Sequence, residues 1–126
     1  MNAVPGASFG IAFCESSGPC LVRSTGNSEE LKSSAAELAF RIGAGHSFVI
    51  LLKNAYPINV LSRVREVPEV VNIYAATANP LQVVVAESEQ GKGILGVIDG
   101  SSPKARETEE DVAERKQFLR KLGYKL

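Results

Sequence analysis

The chain has 126 residues, with 14 basic and 14 acidic side chains, so its formal net charge is zero. This length predicts a single domain with a core of modest size, which association between copies would stabilise further. No basic stripe or tail is present to follow a phosphate backbone, so nucleic acid is not expected as a partner. No apolar run approaches the length of a membrane span and no secretory leader is visible, which predicts a cytoplasmic protein without a membrane partner.

The two cysteines, Cys14 and Cys20, form neither a Cys-x-x-Cys redox motif nor a zinc pattern. No further thiol and only one imidazole are available to complete a zinc ligand set. We therefore expect two reduced thiols, as is usual in cytosolic proteins, and no metal site built from them.

The first half of the chain predicts a β-hairpin followed by an amphipathic helix. Residues 8–14 and 20–24 are expected to form the two strands, joined by a Gly-Pro loop. Asn27 and Glu30 resemble a capping box, with Asn27 as the N-cap, and apolar residues then recur at helical spacing. Gly43 is expected to end this helix as its C-cap.

The second half alternates strands with shorter helices. An unbroken apolar run predicts a central strand covered on both faces. Beyond it, a proline predicts the start of a short helix, an Asn-Pro turn predicts a β-hairpin, and the charged tail predicts an amphipathic helix. The expected strands cover residues 46–53, 70–76, 81–87 and 93–98. The expected short helix begins at Pro57, and the last helix spans 107–122. We expect Thr108 to be the N-cap of the last helix, with Val112, Leu119 and Leu122 facing inward. The order is therefore β-β-α-β-α-β-β-β-α, an α/β protein with a mixed sheet and helices against it.

His46 is the only histidine, in the run Gly-Ala-Gly-His-Ser at residues 43–47. A neutral imidazole nitrogen is a competent nucleophile toward a phosphoryl group, and Gly43 and Gly45 would leave room for that group, with the Ser47 hydroxyl beside it. The run is not a P-loop, because it lacks that motif's lysine and leads from a helix into a strand. By residue type alone, a structural histidine at the start of a strand is an equally good interpretation.

The segment Glu89-Gln90-Gly91-Lys92-Gly93 is a second candidate for phosphate binding. Gly91 and Gly93 would allow backbone amides to approach a phosphate, and Lys92 would neutralise its charge. An ordinary tight turn with an exposed lysine uses the same residues, so residue types leave both interpretations open.

Glu87, Glu89 and Asp99 form an acidic trio at the predicted ends of two neighbouring strands. Their oxygens could bind Mg²⁺ or accept a proton from a hydroxyl substrate. A solvated strand end is the alternative for all three, and it is the better interpretation for Glu89. Glu87 and Asp99 are the stronger candidates because each directly follows an apolar run.

Several segments agree in order and spacing with one family. They are FGIAFCESSGPCLVRSTGN, IGAGHSFVI, YPINVLSRVREVPEV, ATANP, ESEQGKGILGVIDG and the closing FLRKLGYKL. Together they resemble the adenosine-specific kinase family of archaea and bacteria over essentially the whole chain. The resemblance implies a three-layer α/β sandwich in one domain over residues 1–126, assembled as a homotrimer or a multiple of trimers. Family members begin with a further strand and helix, which this chain, starting shortly before Phe9, is expected to lack.

The resemblance also implies a ligand and a site. It implies binding of adenosine, ATP and other adenine nucleotides, and a histidine that becomes phosphorylated, which by its position in the motif is His46. The adenosine pocket would include Asn79, Glu87, Glu89 and Gln90.

The resulting hypothesis is a phosphotransferase that converts adenosine and ATP to AMP and ADP through a phosphohistidine. In this hypothesis, Glu87 or Asp99 would hold Mg²⁺ or activate the ribose hydroxyl, and Lys92 would offset phosphate charge. The alternative is a non-catalytic sensory module that binds adenosine or AMP, which the lack of an established kinase motif favours.

Overall fold

The computed structural model describes residues 5–123. Its elements, in chain order, are β1 (Ser8–Cys14), β2 (Val22–Gly26), α1 (Glu29–Ile42), β3 (Phe48–Lys53), a 3₁₀ turn (Pro57–Asn59), α2 (Leu61–Arg65), β4 (Leu81–Glu87), β5 (Lys92–Asp99) and α3 (Glu109–Lys121). The predicted α/β class is confirmed, and the order of elements follows the prediction with one strand fewer. Among the described residues, no helix is long and apolar enough to cross a membrane.

The five strands form two antiparallel sheets instead of one mixed sheet. β1 lies at the centre of a three-stranded sheet with the order β2-β1-β3, and β4 pairs with β5 in a separate hairpin. The prediction that β3 is central is therefore wrong, because β1 takes that position and β3 lies at the edge. A single parallel bridge, between Ala44 and Lys92, links the end of α1 to the hairpin.

The strand predicted over residues 70–76 does not form. The prediction paired it with residues 81–87, which form β4. In the structure, β4 pairs instead with β5, the strand that follows it in the chain. The Ser88 N–H donates to the Gly91 carbonyl at 2.8 Å and closes this hairpin. The supposed Asn-Pro turn is instead tied to the end of β5, where the Gly100 N–H donates to the Pro80 carbonyl at 2.9 Å.

Small residues allow α1 to lie very close to β1. A Cβ atom on Gly10 would collide with the backbone of Leu31, in the first turn of α1. Ala12 on β1 and Ala35 and Ala39 on α1 have no exposed surface, and they form the centre of the core. The helix is thus packed backbone against backbone, which leaves no room for a larger side chain.

The two ends of α1 follow the prediction only in part. Gly43 is the C-cap, with φ 67°, and its N–H donates to the Ala39 carbonyl. The N-cap is Ser28, one residue later than predicted, and its hydroxyl accepts from the Leu31 N–H. The Asn27 side chain instead bridges the start of β1, where it accepts from the Phe9 N–H at 2.8 Å. Both residue types are good N-caps, so only the tertiary contact separates them.

The last helix begins as predicted, and the chain only half-buries Val112 and Leu119, which were predicted to face inward. Thr108 is its N-cap, and the Thr108 N–H and hydroxyl donate to the Asp111 carboxylate at 2.7 and 3.0 Å. The backbone hydrogen bond from Thr108, followed by that of its side chain, lowers the pKa of Asp111 below its ordinary value. No residue of α3 is buried, and Leu122, predicted to face inward, is 57% exposed.

The chain exposes much more surface than a compact monomer would. Its accessible area is 9823 Å². A folded monomer of 13.4 kDa is expected to expose about 6,500 Å². The exposed side chains include many large apolar ones, among them Phe40, Ile58, Val71 and Leu95. A surface of this kind is typical of a subunit that is completed by association.

We expect Gly10→Ala to lower the free energy of unfolding by about 1–3 kcal/mol, because the new Cβ must push α1 away from β1. Gly96→Ala in β5 is the matched control, since nothing lies within 4 Å of the Cβ it would add. Urea denaturation of the three proteins at one protein concentration measures the difference. Equal stability of Gly10→Ala and the wild type would contradict the close approach of helix and strand.

Candidate functional site

His46 lies in a tight turn that connects α1 to β3. The Ser47 N–H and hydroxyl both donate to the Ala44 carbonyl, at 3.2 and 2.6 Å, and close the turn. His46 occupies the left-handed region with φ 63°, where glycine is favoured and other residues are uncommon. Such a conformation costs on the order of 1–3 kcal/mol, and Cys20 and Asn54 also adopt it.

The end of β1 holds the backbone of this turn in place. The His46 N–H donates to the Cys14 carbonyl at 2.8 Å, and the Cys14 N–H donates to the Ser47 carbonyl at 2.9 Å. The Cys14 thiol in turn donates to the Ala39 carbonyl of α1 at 3.3 Å. The position of His46 is therefore determined jointly by the central strand and the helix.

The imidazole ring of His46 is exposed, but two side chains fix its orientation. The Ser16 hydroxyl lies 2.8 Å from Nε2, within hydrogen-bonding distance. The Phe13 ring stacks on the imidazole, with the ring centroids 6.2 Å apart and an interplanar angle of 28°. Neither contact was predicted from the sequence, because Ser16 is 30 residues from His46 and is one of several serines in polar loops.

The two glycines of the turn admit protein side chains. A Cβ on Gly45 would lie 2.7 Å from the Cβ of Ser16. A Cβ on Gly43 would lie 3.0 Å from Cδ of Lys92, and φ at Gly43 is left-handed. The space beside the histidine was predicted to admit a phosphoryl group. In the structure, the Ser16 hydroxyl and the Lys92 ammonium group lie close to the turn there. Lys92 and the Gly-Ala-Gly-His-Ser run, far apart in sequence, therefore lie side by side.

One face of the β4–β5 hairpin carries charged ends and an apolar middle. Directly paired residues point to the same side of an antiparallel sheet. The pairs on this face are Glu87 with Lys92, Val85 with Ile94, Val83 with Val97 and Leu81 with Asp99. Glu87 and Lys92 therefore lie at one end, and Asp99 lies at the other, roughly 20 Å away along the strand.

Asp99 is engaged by its own neighbours. Its Oδ1 accepts from the Thr77 hydroxyl at 2.8 Å and from Asn79 Nδ2 at 3.2 Å. The Asn79 N–H in turn donates to the Thr77 hydroxyl at 3.0 Å. These bonds make Asp99 the anchor of the loop that carries Asn79.

The acidic trio is not brought together. Glu89 lies in the exposed hairpin turn, far from Asp99, and no group of three side chains in residues 5–123 could hold a metal ion. The same turn contains Gln90, whose N–H donates to the Ser88 hydroxyl at 3.2 Å. Gly91 and Gly93 have nothing within 4 Å of an added Cβ, so the backbone there is open on the Cβ side.

A cavity of about 420 Å³ lies between β3, α2, residues 72–77 and the hairpin. Most of its lining is aliphatic, and its polar side chains include His46 and Ser47 on one side and Thr77 and Asn79 on the other. A cavity of this size, apolar with a few polar groups, is typical of a site for a small organic ligand. Asn79 is the only residue of the predicted adenosine pocket that lines it, since Glu87, Glu89 and Gln90 lie outside.

Comparisons with known proteins agree with this fold. The family model described as adenosine specific kinase matches residues 1–125, so the chain belongs to the adenosine-specific kinase family. Among solved structures, it is similar to the crystal structure of the PH1918 protein from Pyrococcus horikoshii OT3, with 52% sequence identity and a TM-score of 0.88. The similarity covers 98% of this chain and 76% of that chain. A comparison with curated proteins finds no match.

Proposed function

We propose that the protein transfers the γ-phosphoryl group of ATP to the 5′-hydroxyl of adenosine, through a phosphohistidine at His46. Membership of the adenosine-specific kinase family supports the substrate class. The observation that carries the mechanism is the exposed histidine in a strained turn, bordering a cavity of suitable size.

In the first step, the lone pair of an imidazole nitrogen attacks the γ-phosphorus. The bond between this phosphorus and the bridging oxygen breaks, and its electron pair leaves with ADP. Lys92 offsets the charge of the phosphates, because its side chain passes over Gly43 at the base of the turn. The backbone amides of Gly91 and Gly93 would contribute in the same way, since no side chain crowds these two glycines.

In the second step, the 5′-hydroxyl of adenosine attacks the phosphorus of the phosphohistidine. The nitrogen–phosphorus bond breaks and its electron pair returns to the ring, while the hydroxyl proton passes to a carboxylate. Glu87 is the candidate acceptor, since it pairs with Lys92 at the phosphate end of the hairpin. Asn79 would contact the nucleoside at the far end of the cavity.

A Mg²⁺ held jointly by Glu87, Glu89 and Asp99 does not fit this arrangement, because Asp99 lies at the opposite end of the hairpin from the other two carboxylates. No step is therefore assigned to a metal. This separation, with Asp99 engaged by Thr77 and Asn79, favours the second candidate function, a module that binds adenosine or AMP without turnover.

The proposal includes a homotrimer or a multiple of trimers. The excess of exposed surface over that of a compact monomer supports association, as does α3, in which no apolar side chain is fully buried and Phe118 is largely exposed.

Incubation with γ-labelled ATP is expected to give an acid-labile, base-stable label on the wild type and none on His46→Asn. Asparagine is the preferred substitute because it tolerates the left-handed backbone of residue 46. Circular dichroism verifies that the variant is folded. Equal labelling of variant and wild type would exclude His46 as the phosphoryl carrier.

Val83→Phe is expected to weaken adenosine binding about tenfold or more, or about 1.4 kcal/mol, because the larger ring fills the cavity. Val84→Phe, on the opposite face of the same strand, is the control and should bind normally. Calorimetry with adenosine, AMP and ATP, beside a turnover assay, measures both properties. Tight AMP binding without turnover would favour the binding module, and equal affinities of the two variants would exclude this cavity.

Sedimentation at micromolar concentration is expected to give a mass of about three times 13.4 kDa, or a multiple of that value. The physical reason is the large apolar surface that the single chain leaves exposed. A stable monomer at this concentration would contradict the proposed assembly.

A further inference from the structure

We propose that Ser16 is a positioning residue whose hydroxyl oxygen accepts a hydrogen bond from Nε2–H of His46, and that this bond directs phosphoryl transfer to Nδ1. This inference rests on the proposed function. Its starting point is the 2.8 Å contact between the Ser16 hydroxyl and Nε2, which is the one side-chain hydrogen bond of the ring within residues 5–123.

Two neighbouring residues, Glu15 and Gly45, keep Ser16 close to His46. Glu15 holds the loop of Ser16, because its carboxylate accepts from the Leu21 N–H at 3.0 Å and from Arg23 Nε at 3.1 Å. The absence of a side chain at Gly45 lets Ser16 approach the turn, since an added Cβ would lie 2.7 Å from that of Ser16.

Phe13 adds a second constraint on the ring. Its stacking limits rotation of the imidazole out of its plane, while Ser16 determines which edge faces the loop. Together the two contacts hold Nε2 against the Ser16 hydroxyl, so that Nδ1 faces away from Ser16. A phosphoryl group cannot reach Nε2 while that hydroxyl occupies the position beside it.

The chemistry of the transfer favours Nδ1 for a second reason. A ring nitrogen can attack phosphorus only with a free lone pair, so the proton must lie on the other nitrogen. When the Nδ1–phosphorus bond forms and ADP leaves, Nε2 keeps its proton and the ring gains positive charge. The hydrogen bond from Nε2–H to Ser16 then strengthens, so it stabilises the transition state more than the ground state.

The sole histidine makes the first part of the test independent of ATP. In protein labelled with ¹⁵N-histidine, at alkaline pH where imidazoles are neutral, the spectrum shows a single imidazole. We expect a protonated Nε2 and a bare Nδ1 in the wild type, and shifts averaged between both tautomers in Ser16→Ala. A proton on Nδ1 in the wild type would overturn the proposal.

The second part identifies the phosphorylated nitrogen with antibodies specific for each phosphohistidine isomer. We expect the Nδ1 isomer in the wild type. Ser16→Ala should be labelled at least tenfold more slowly and should gain the Nε2 isomer. Ser16→Thr, which keeps the hydroxyl, should restore the wild-type pattern, and Ser17→Ala is the control in the same loop.

Three results would overturn the role of Ser16: the Nε2 isomer in the wild type, an unchanged rate and isomer in Ser16→Ala, or an acid-stable label on Ser16 itself. The last result would make Ser16 the nucleophile and His46 its base. Absence of any label on a protein with the expected tautomer would contradict the proposed function instead, and the spectrum would still support the Ser16 contact.

Discussion

The backbone of α1 lies so close to β1 that only a glycine fits at position 10, and the site depends on this contact. The helix ends at Gly43, one turn after Ala39, whose carbonyl accepts from the thiol of Cys14 at the end of β1. Cys14 then holds the backbone of His46, through the hydrogen bond from the His46 N–H. A shift of the helix along the strand would therefore move the histidine itself.

Local patterns in the sequence predicted the elements around this contact, because helix periodicity and caps are properties of neighbouring residues. The strand over 70–76 was wrong because β4 is separated by four residues from a possible partner on either side, and it pairs with β5 through the turn closed by Ser88 and Gly91. The contact of Ser16 with His46 could not be predicted, since 30 residues separate them and serine is common in loops.

The candidate site combines a polar turn with an apolar cavity lining. In the proposed mechanism, the turn that carries His46 and Lys92 supplies a nucleophile and positive charge for phosphate, while the aliphatic lining between β3 and the hairpin supplies an apolar surface for a nucleoside. The acidic residues are divided between the two ends of the hairpin, where Asp99 anchors a loop and Glu87 accompanies the lysine. Much of the chain's apolar surface remains exposed.

A crystal structure of the assembled protein with adenosine or a non-hydrolysable ATP analogue is the most direct measurement. We expect the nucleoside in the cavity between β3 and the hairpin, and the γ-phosphorus within about 3.5 Å of a ring nitrogen of His46, in line with the bridging oxygen. Binding of the nucleotide elsewhere, with the γ-phosphate out of reach of the imidazole, would contradict covalent transfer through His46.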